Sequence, residues 1–189
     1  MSNFRASCAA MNSSALHHIL HPLAPNWSTR NRIVPSSLPN DWRDWLFDHG
    51  SLTARLSQLG DFRVEIVREY HGRPTPLEQQ RLSLAHQCKV WVREVILHVN
   101  NQPLVYARTA IPLPTLTGQE RRLQYLGKQS LGSYLFRQPN LKRQPLMVSH
   151  CNSNPLALEW CRHSVFTLGD KPLMVSEAFS QQLAGLTPQ

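Results

Sequence analysis

The sequence VWVREVILHV at residues 90–99, followed by PLVYARTAIP at residues 103–112, carries the clearest structural signal of this chain. Both runs are rich in β-branched and aromatic residues, which favour β-strands. Asn100 and Asn101 lie between them, and asparagine tolerates the positive φ angles that a tight two-residue turn requires. The two runs therefore predict an antiparallel β-hairpin.

The charged residues of this hairpin indicate a binding face. A two-residue turn sets a register in which Arg93 stands directly opposite Arg108, both on one face of the hairpin. Like charges that oppose each other across strands destabilise a sheet, and a buried guanidinium without a partner is costly. We therefore expect negative charge on that face. It would come either from protein carboxylates such as Glu65 and Glu177 or from a ligand.

The composition is that of one globular domain with an excess of positive charge. The chain has 189 residues, of which 41% are apolar, and 20 Lys and Arg against 12 Asp and Glu give a formal net charge of +8. A chain of this length can bury a sizeable core. A basic surface suits nucleic acid, an anionic membrane or an anionic small molecule, and the charge alone does not distinguish them. No apolar run approaches the ~20 residues of a membrane-spanning helix.

The four cysteines, at positions 8, 88, 151 and 161, predict neither a disulfide framework nor a zinc site. Their spacing contains no CxxC pair, so a reducing compartment, the cytoplasm, is the expected location. His150-Cys151 and Cys161-x-His163 resemble zinc ligands in composition only. Adjacent residues of a strand point apart, and the usual ligand spacing is absent.

Residues 1–38 are predicted to be a disordered N-terminal extension. They contain no Asp or Glu and carry Ser, Asn, Pro and scattered Arg, a composition that favours a poorly ordered tail over a folded unit. A transit peptide is a weaker alternative. His17, His18 and His21 could suggest a metal site, but solvated histidines are the simpler interpretation. The folded domain is expected at residues 39–187.

The folded part is predicted to begin with helices and to continue with a strand. Asn40 and Ser51 are suitable caps for two short helices, the second at residues 52–59. Residues 62–70 alternate apolar and polar side chains, which is typical of a strand. A short helical or irregular link at residues 77–84 then leads into the hairpin.

After the hairpin the apolar spacing becomes helical. Thr117 and Glu120 have the spacing of a capping box, and LGKQSLG at residues 126–132 is predicted to be a turn before another helix. The backbone N–H groups of that turn, with Lys128 nearby, would suit an anion. An ordinary helix–turn–helix corner is the alternative, and spacing alone favours the corner.

A second hairpin is predicted at the end of the chain. Residues 163–168 and 171–179 flank the turn Gly169-Asp170, and the return strand places Glu177 in an apolar row. The two-residue turn brings Arg162 opposite Glu177. Two interpretations of Glu177 follow: a structural ion pair across the strands, or a carboxylate that acts in a site.

Three groups of residues together resemble the chorismate pyruvate-lyase family. They are WVREVIL with ARTAIP in the first hairpin, LGKQSLGSYLF at residues 126–136 and KPLMVSEAF at residues 171–179. The match runs from about Trp42 to Leu183 in the family's order and spacing. The resemblance implies a single α+β domain. Its antiparallel sheet would have about six strands, with helices packed around it and helical flaps over a buried site.

The resemblance also implies an activity, the elimination of pyruvate from chorismate to give 4-hydroxybenzoate, the first committed step toward ubiquinone in bacteria. It implies no metal and no organic cofactor, and a site that holds its aromatic product tightly. The expected partners are the small molecules chorismate and 4-hydroxybenzoate. We expect a cytoplasmic monomer that neither inserts stably into a membrane nor binds nucleic acid.

The family's ligand-binding positions fall on Arg93 in the W-x-R-E strand, Glu177 in the late strand, and Leu52 and Leu131 in the flaps. Leu52 differs from the methionine that is common in relatives. Chorismate is a dianion, and a guanidinium binds a carboxylate through two parallel hydrogen bonds. We expect Arg93 to hold the ring carboxylate and Glu177 to act near the ether oxygen. Arg108 is a candidate for the second carboxylate.

Two other functions stay open at this stage. One is a non-catalytic ligand-sensing module of the same fold, like the effector domains of some bacterial transcription regulators. The presence of both Arg93 and Glu177, without a winged-helix segment before the domain, argues against it. The other is a nucleic-acid-binding sheet, which would need exposed aromatic side chains interleaved with Lys and Arg. Here the aromatic residues stand in apolar rows.

Overall fold

One open antiparallel sheet carries all the other elements. The structure is a computed structural model that describes residues 27–29, 38–151 and 157–186, and within these ranges the sheet has seven strands. The elements are α1 (Asn40–Leu46), α2 (Leu52–Ser57), β1 (Phe62–Gly72), α3 (Pro76–Arg81), β2 (Val90–Val99), β3 (Gln102–Pro112), two 3-10 helices (Leu113–Thr115 and Gly118–Tyr125), α4 (Leu131–Leu135), β4 (Leu141–Arg143), β5 (Met147–His150), β6 (Leu158–Leu168), β7 (Lys171–Ser180) and a last 3-10 helix (Gln181–Leu183). The strand order is β1-β2-β3-β7-β6-β4, and β5 also pairs with β6. The predicted α+β class is confirmed, with one strand more than the six expected.

The central hairpin forms where it was predicted, but its register differs by one residue. Asn100 and Asn101 have φ angles of 49° and 64°, as a tight two-residue turn requires. A β-bulge follows the turn, so that Leu97 pairs with Val105 instead of Leu104. Because side chains alternate between the faces of a strand, this single slip moves every later residue of β3 to the other face.

The bulge separates the two arginines of the hairpin. Arg93 pairs with Thr109, and Arg108 pairs with Glu94. The expectation that Arg93 and Arg108 oppose each other on one face is therefore wrong. We call the side of the sheet that carries Arg93 and Glu177 the first face, and the side that carries Arg108 the second face.

Helices cover the first face. Trp42, Trp45 and Leu46 recur at helical spacing along α1 and are at most 2% exposed, so this short helix packs one apolar side onto the sheet. The Ser51 side chain caps α2 by accepting from a backbone N–H of its first turn, as predicted. Asn40 is instead the first residue of α1 and not its cap. The second 3-10 helix and α4 cover the rest of this face.

The second face is covered by α3 and by Trp27. The Trp27 ring meets the His163 ring edge-on, with centroids 4.3 Å apart, and Ser28 exchanges two backbone hydrogen bonds of 2.8 and 2.9 Å with Val148 of β5. Ser28 thus forms an isolated bridge to β5, within the segment that the sequence predicted to be an extension. The remaining residues of that prediction before position 38, with His17, His18 and His21 among them, lie outside the described residues.

The capping box forms at α3 and not at the predicted position. The Thr75 hydroxyl accepts from the Glu78 backbone N–H at 3.1 Å, and the Glu78 carboxylate accepts from the Thr75 N–H at 2.8 Å. At the predicted position, the Thr117 side chain accepts no such bond. The Glu120 carboxylate instead accepts from Lys171 Nζ at 2.6 Å. This carboxylate is thus paired with a lysine of β7 and not with the backbone of Thr117.

Cys151 and Cys161 form a disulfide, with their Cα atoms 6.2 Å apart. The expectation that the cysteines would stay unpaired is wrong for these two. Strand pairing brings them together: Ser149 of β5 faces Cys161, and the Cys151 N–H donates to Glu159 O at 2.7 Å. No spacing motif in the sequence indicates that two cysteines ten residues apart would pair.

None of the helices in the described ranges combines the length and the apolar character that crossing a bilayer would require.

Candidate active site

A pocket opens on the first face beneath α2 and α4. Its empty volume is about 620 Å³, including the solvent space at its mouth. The apolar part of its wall includes Val64, Val95, Leu97, Ala107, Leu135 and Val175. The charged side chains in the wall are Arg93, Arg143, Arg162 and Glu177. An apolar cavity with a few convergent charges suits a small polar molecule with an apolar ring.

The structure brings together four of the five residues that the sequence singled out. Arg93, Glu177, Leu52 and Leu131 all line this pocket. Arg108 does not, because the bulge in the central hairpin turns it to the second face.

Arg93 is held from two sides. Its side chain is 2% exposed, and it forms an ion pair with Glu69, the residue directly opposite it on β1. Its Nη2 donates to Gly127 O at 2.6 Å and to Gln129 O at 3.1 Å. Burial lowers the pKa of Arg93, and the charge of Glu69 opposes that shift. The protein partner of Arg93 is thus Glu69, rather than Glu65 or Glu177, which the sequence suggested.

The turn before α4 supplies acceptors to this arginine. Gly127 has a φ of 53°, a left-handed conformation that favours glycine, and its carbonyl reaches Arg93. The Ser130 hydroxyl accepts from the Ser133 N–H at 3.1 Å and so caps α4. The turn therefore anchors a cation through its carbonyl groups. This role differs from the anion site that free N–H groups would have made.

Glu177 forms the cross-strand ion pair that the second hairpin predicted. Arg162 stands directly opposite Glu177, and Arg162 Nε donates to Glu177 Oε2. Arg162 Nη1 also donates to Trp45 O at 2.6 Å, which ties the pair to α1. The Glu177 side chain is 12% exposed and lines the pocket. The structural and the functional interpretations of this carboxylate are therefore compatible.

Small side chains separate Arg93 from Glu177. Thr109 of β3 pairs with Arg93, and Ala107 of β3 pairs with Glu177. One strand thus lies between the two charged residues, and their positions differ by two residues along it. At ~4.8 Å per strand and ~3.4 Å per residue, their backbones are roughly 12 Å apart. Since Ala107 and Thr109 are short, the floor between the charges has room for a flat ring.

Two short helices meet over the pocket. Leu52 begins α2 and Leu131 begins α4, and the hydroxyl oxygens of Thr53 and Ser130 lie 2.5 Å apart between these helices. A Cβ atom at Gly132 would lie 3.0 Å from Thr53 Oγ1, so glycine permits this close approach. The contact agrees with the helical flaps that the family resemblance implied.

Arg143 was not predicted from the sequence, because it lies in the least informative part of the chain. Arg143 ends β4 and lies opposite Phe166 of β6. Its Nε donates to Ser164 Oγ at 3.2 Å and its Nη1 to Asp48 O at 3.3 Å. Leu141 and Arg143 point inward while Lys142 is exposed. This three-residue alternation is the one local signal, and it is too short to identify a strand.

Arg108 has its own set of partners on the second face. It donates from Nε and Nη2 to the Glu78 carboxylate at 2.8 and 3.1 Å, and from Nη1 to Glu94 Oε1 at 2.7 Å. Tyr70 Oη lies 3.0 Å from the same Nη1. This position argues against a role for Arg108 in binding the second carboxylate. Among the described residues, no three His, Cys, Asp or Glu side chains are grouped in a way that could hold a metal ion.

Solved structures of low sequence identity share the fold. The effector domain of PhnF from Mycobacterium smegmatis superposes with a TM-score of 0.52 at 12% identity, covering 70% of this chain and 90% of that one. A GntR-family transcriptional regulator from Bacillus cereus gives 0.50 at 13% identity, covering 65% and 94%. At such identities the likeness concerns the fold alone.

Sequence relatives are much more similar. A probable chorismate pyruvate-lyase of Marinobacter nauticus is 43% identical over 71% of this chain and 73% of its own length. A probable chorismate pyruvate-lyase of Psychromonas ingrahamii is 33% identical over 84% and 92%, and the chorismate pyruvate-lyase of Pectobacterium atrosepticum is 35% identical over 77% and 80%. The family model described as chorismate lyase matches residues 25–184. The chain therefore belongs to the chorismate lyase family.

Proposed function

We propose that this protein is a chorismate lyase, which eliminates pyruvate from chorismate and releases 4-hydroxybenzoate for ubiquinone biosynthesis. The observation that carries the proposal is the placement of Arg93 and Glu177 in one pocket, on either side of a floor of small residues. This arrangement occurs in a chain that belongs to the family. A pocket with a cation at one side and a carboxylate at the other suits an aromatic ring with a carboxylate and a hydroxyl at opposite ends.

Arg93 is the proposed receptor for the ring carboxylate. Its guanidinium is fixed by Glu69 and by the carbonyl groups of Gly127 and Gln129. A planar guanidinium held in this way loses little further freedom when it binds a carboxylate through two parallel hydrogen bonds.

Glu177 is proposed to act at the other end of the ring, where bonds change. The hydroxyl-bearing ring carbon gives up its proton, and the bond between the neighbouring ring carbon and the ether oxygen breaks. The new double bond completes the aromatic ring. Transfer of the proton to the methylene group of the departing enolpyruvate gives pyruvate and balances the reaction. Arg162 Nε donates to Glu177 Oε2, and Oε1 is the oxygen proposed to accept from the substrate's hydroxyl, next to the ether oxygen.

Leu52 and Leu131 are proposed to close the site above the ring. Both line the pocket at the first residues of α2 and α4. Apolar side chains at these positions exclude water, and fixed charges act more strongly on a substrate in a dry site than in water. Orientation and electrostatics then supply most of the acceleration.

One experiment tests this function directly. The protein is mixed with chorismate in the presence of EDTA, and 4-hydroxybenzoate absorbance is followed together with pyruvate. We expect equimolar formation of both products, and we expect the rate to survive exhaustive chelation, because arginines supply the positive charge at the carboxylates. Binding of chorismate without turnover would instead support the ligand-sensing alternative. Loss of activity with EDTA and its recovery with one metal ion would contradict the proposed independence of metals.

We also propose that the enzyme acts as a cytoplasmic monomer without a nucleic acid partner. Within the described residues, a single chain lines the pocket on both the Arg93 and the Glu177 side, which supports function as a monomer. Cytoplasmic thiols are kept reduced, and the Cys151–Cys161 pair packs with the second-face cluster of Ile96 and Ala178, away from the pocket. Sedimentation tests the monomer, and equal turnover with and without dithiothreitol tests the independence from this disulfide. A salt-dependent gel shift with nucleic acid would contradict the last point.

A further inference from the structure

The cations of the pocket differ in their partners. Arg93 forms an ion pair with Glu69, and Arg162 forms one with Glu177. Arg143 is the third arginine in the wall. Within the part of the chain that the structure describes, its hydrogen bonds go to a serine hydroxyl and a backbone carbonyl and not to a carboxylate. Arg143 therefore brings a positive charge to the pocket that the surrounding protein does not neutralise by direct contact.

The electrostatic surroundings of Arg143 agree with this description. Burial lowers the pKa of Arg143 to about 10, and repulsion from Arg162 acts in the same direction. Attraction to Glu177 and Asp48 offsets only part of this shift. The partly buried guanidinium of Arg143 gains free energy when an anion enters beside it, because the anion compensates the charge that burial has desolvated.

The neighbours of Arg143 hold its position. Ser164 Oγ and Asp48 O accept from Nε and Nη1, and the guanidinium carbon lies 4.8 Å from the centroid of the Phe166 ring. Asp48 directs its carboxylate elsewhere, toward Arg55 at 3.7 Å. These contacts orient the guanidinium plane without supplying a negative charge, which is the arrangement expected of a preorganised anion receptor.

We infer that Arg143 binds the enolpyruvyl carboxylate of chorismate, an inference that rests on the proposed function. In the strand order, β4 with Arg143 lies beyond β7 and β6, which carry Glu177 and Arg162, and so on the side away from β2 and Arg93. Arg143 therefore belongs to the Glu177 side of the pocket. The ether oxygen lies on that side when Arg93 holds the ring carboxylate. The enolpyruvyl group is attached to this oxygen, so its carboxylate lies beside Arg143. Arg143 thus takes the role that the sequence assigned to Arg108.

This assignment makes Arg143 a residue that distinguishes substrate from product. 4-Hydroxybenzoate keeps the ring carboxylate that Arg93 binds but has lost the enolpyruvyl carboxylate. Removal of Arg143 should therefore lower kcat/KM for chorismate and leave the affinity for 4-hydroxybenzoate nearly unchanged. Removal of Arg93 should lower both kcat/KM for chorismate and the affinity for 4-hydroxybenzoate. The effect on product affinity therefore distinguishes the two arginines.

The experiment compares Arg143→Gln with Lys142→Gln, which removes the same charge from the neighbouring, exposed residue of β4. Steady-state kinetics give kcat/KM for chorismate, and calorimetry gives the Kd of 4-hydroxybenzoate. We expect Arg143→Gln to lower kcat/KM by about 100-fold, the scale for losing a charged hydrogen-bonded contact. We expect its Kd for the product to change by less than about 3-fold. Lys142→Gln should change neither value by more than about 2-fold.

Each outcome decides the matter. Equal losses for chorismate and 4-hydroxybenzoate, or no loss for either, would overturn the inference and make Arg143 a structural residue. If Arg143→Gln does not fold, Arg143→Lys keeps the charge without the planar fork, and a loss confined to chorismate is still expected. A wild-type protein that does not convert chorismate would overturn the proposed function itself. Wild-type turnover with equal losses in the variant would overturn only the role of Arg143.

Discussion

Arg108 on the second face is buried and Arg143 on the first face is partly buried, and the protein surrounds the two charges differently. Arg108 contacts the carboxylates of Glu78 and Glu94, whereas Arg143 donates to a hydroxyl and a carbonyl. Burial alone would lower the pKa of Arg108, but the hydrogen bonds and charge of Glu78 outweigh it and raise that pKa. Burial lowers the pKa of Arg143 without such compensation. A buried cation with its own carboxylates supports the fold, and one without them is suited to a ligand.

The difference arises from what each face packs against. On the second face, α3 delivers Glu78, which caps its own helix and reaches Arg108, and β2 delivers Glu94 from the paired position. On the first face, α2 and α4 lie over a pocket. On the second face, carboxylates of the protein therefore neutralise Arg108. On the first face, the positive charge of Arg143 is left for a substrate.

The largest effect on stability is expected for Arg108→Ala. It would leave Glu78 and Glu94 buried without their shared cation, and breaking a buried ion pair in this way costs about 3–5 kcal/mol. For a chain of this length that corresponds to a Tm lower by about 6 °C or more. Turnover per folded molecule should stay near that of the wild type. Thermal unfolding and kinetics on one preparation measure both quantities.

The matched control for Arg108→Ala is Arg68→Gln. Arg68 is 36% exposed and pairs with the same Glu94, but Arg108 still neutralises this carboxylate after the change. We expect a loss of at most ~1 kcal/mol. A stable Arg108→Ala protein with a raised KM would contradict the comparison and return Arg108 to the substrate site.

Arg93→Ala should have the largest effect on binding. We expect a loss of about 2–5 kcal/mol in the binding of chorismate and of 4-hydroxybenzoate alike, since both carry the ring carboxylate. Arg93→Lys keeps the charge but not the planar fork, so its loss should be smaller. Lys128→Gln is the control, because it removes an exposed charge from the turn that holds Arg93. An unchanged product Kd in Arg93→Ala would exclude Arg93 as the carboxylate receptor.

Glu177→Gln should lower turnover by about 100-fold and affect the affinity for 4-hydroxybenzoate less, if the carboxylate acts mainly in the transition state. Stability should change little, because a neutral amide keeps some hydrogen bonding to Arg162 and is easier to bury. Melting and steady-state kinetics are measured on the same protein. A lower Tm with full turnover per folded molecule would make Glu177 a structural partner of Arg162 alone.

The smallest effect is expected on the second face, for Trp27→Ala. The half-buried ring packs against His163 and the surrounding apolar cluster, so its loss should cost about 1–2 kcal/mol, less than a fully buried aromatic residue. Turnover should not change. Tyr125→Ala is the control, since this side chain is 83% exposed and should leave Tm unaltered. An unchanged Tm in Trp27→Ala would mean that the folded domain does not depend on residue 27.

The sequence by itself determined the features that depend on neighbouring residues. Asn100-Asn101 and Gly169-Asp170 located the two hairpin turns, because turn chemistry is set by the φ angles that these few residues tolerate. Ser51 located the start of α2 for a similar reason. The second hairpin has no bulge close to its turn, so the predicted opposition of Arg162 and Glu177 was confirmed. The family resemblance rested on sequence alone and identified the family correctly.

The tertiary structure decided every feature that depends on one-residue shifts or on distant elements. The bulge beside Leu97 shifts the register by one residue and so moves Arg108 to the second face. Glu69, the partner of Arg93, lies 24 residues away, and Glu78, a partner of Arg108, lies 30 residues away. Arg143 enters the pocket only because β4 pairs with β6. The physical reason is that the burial and the charge partners of a residue depend on distant elements that meet only in the folded sheet. Turns and helix caps depend on a few neighbouring residues.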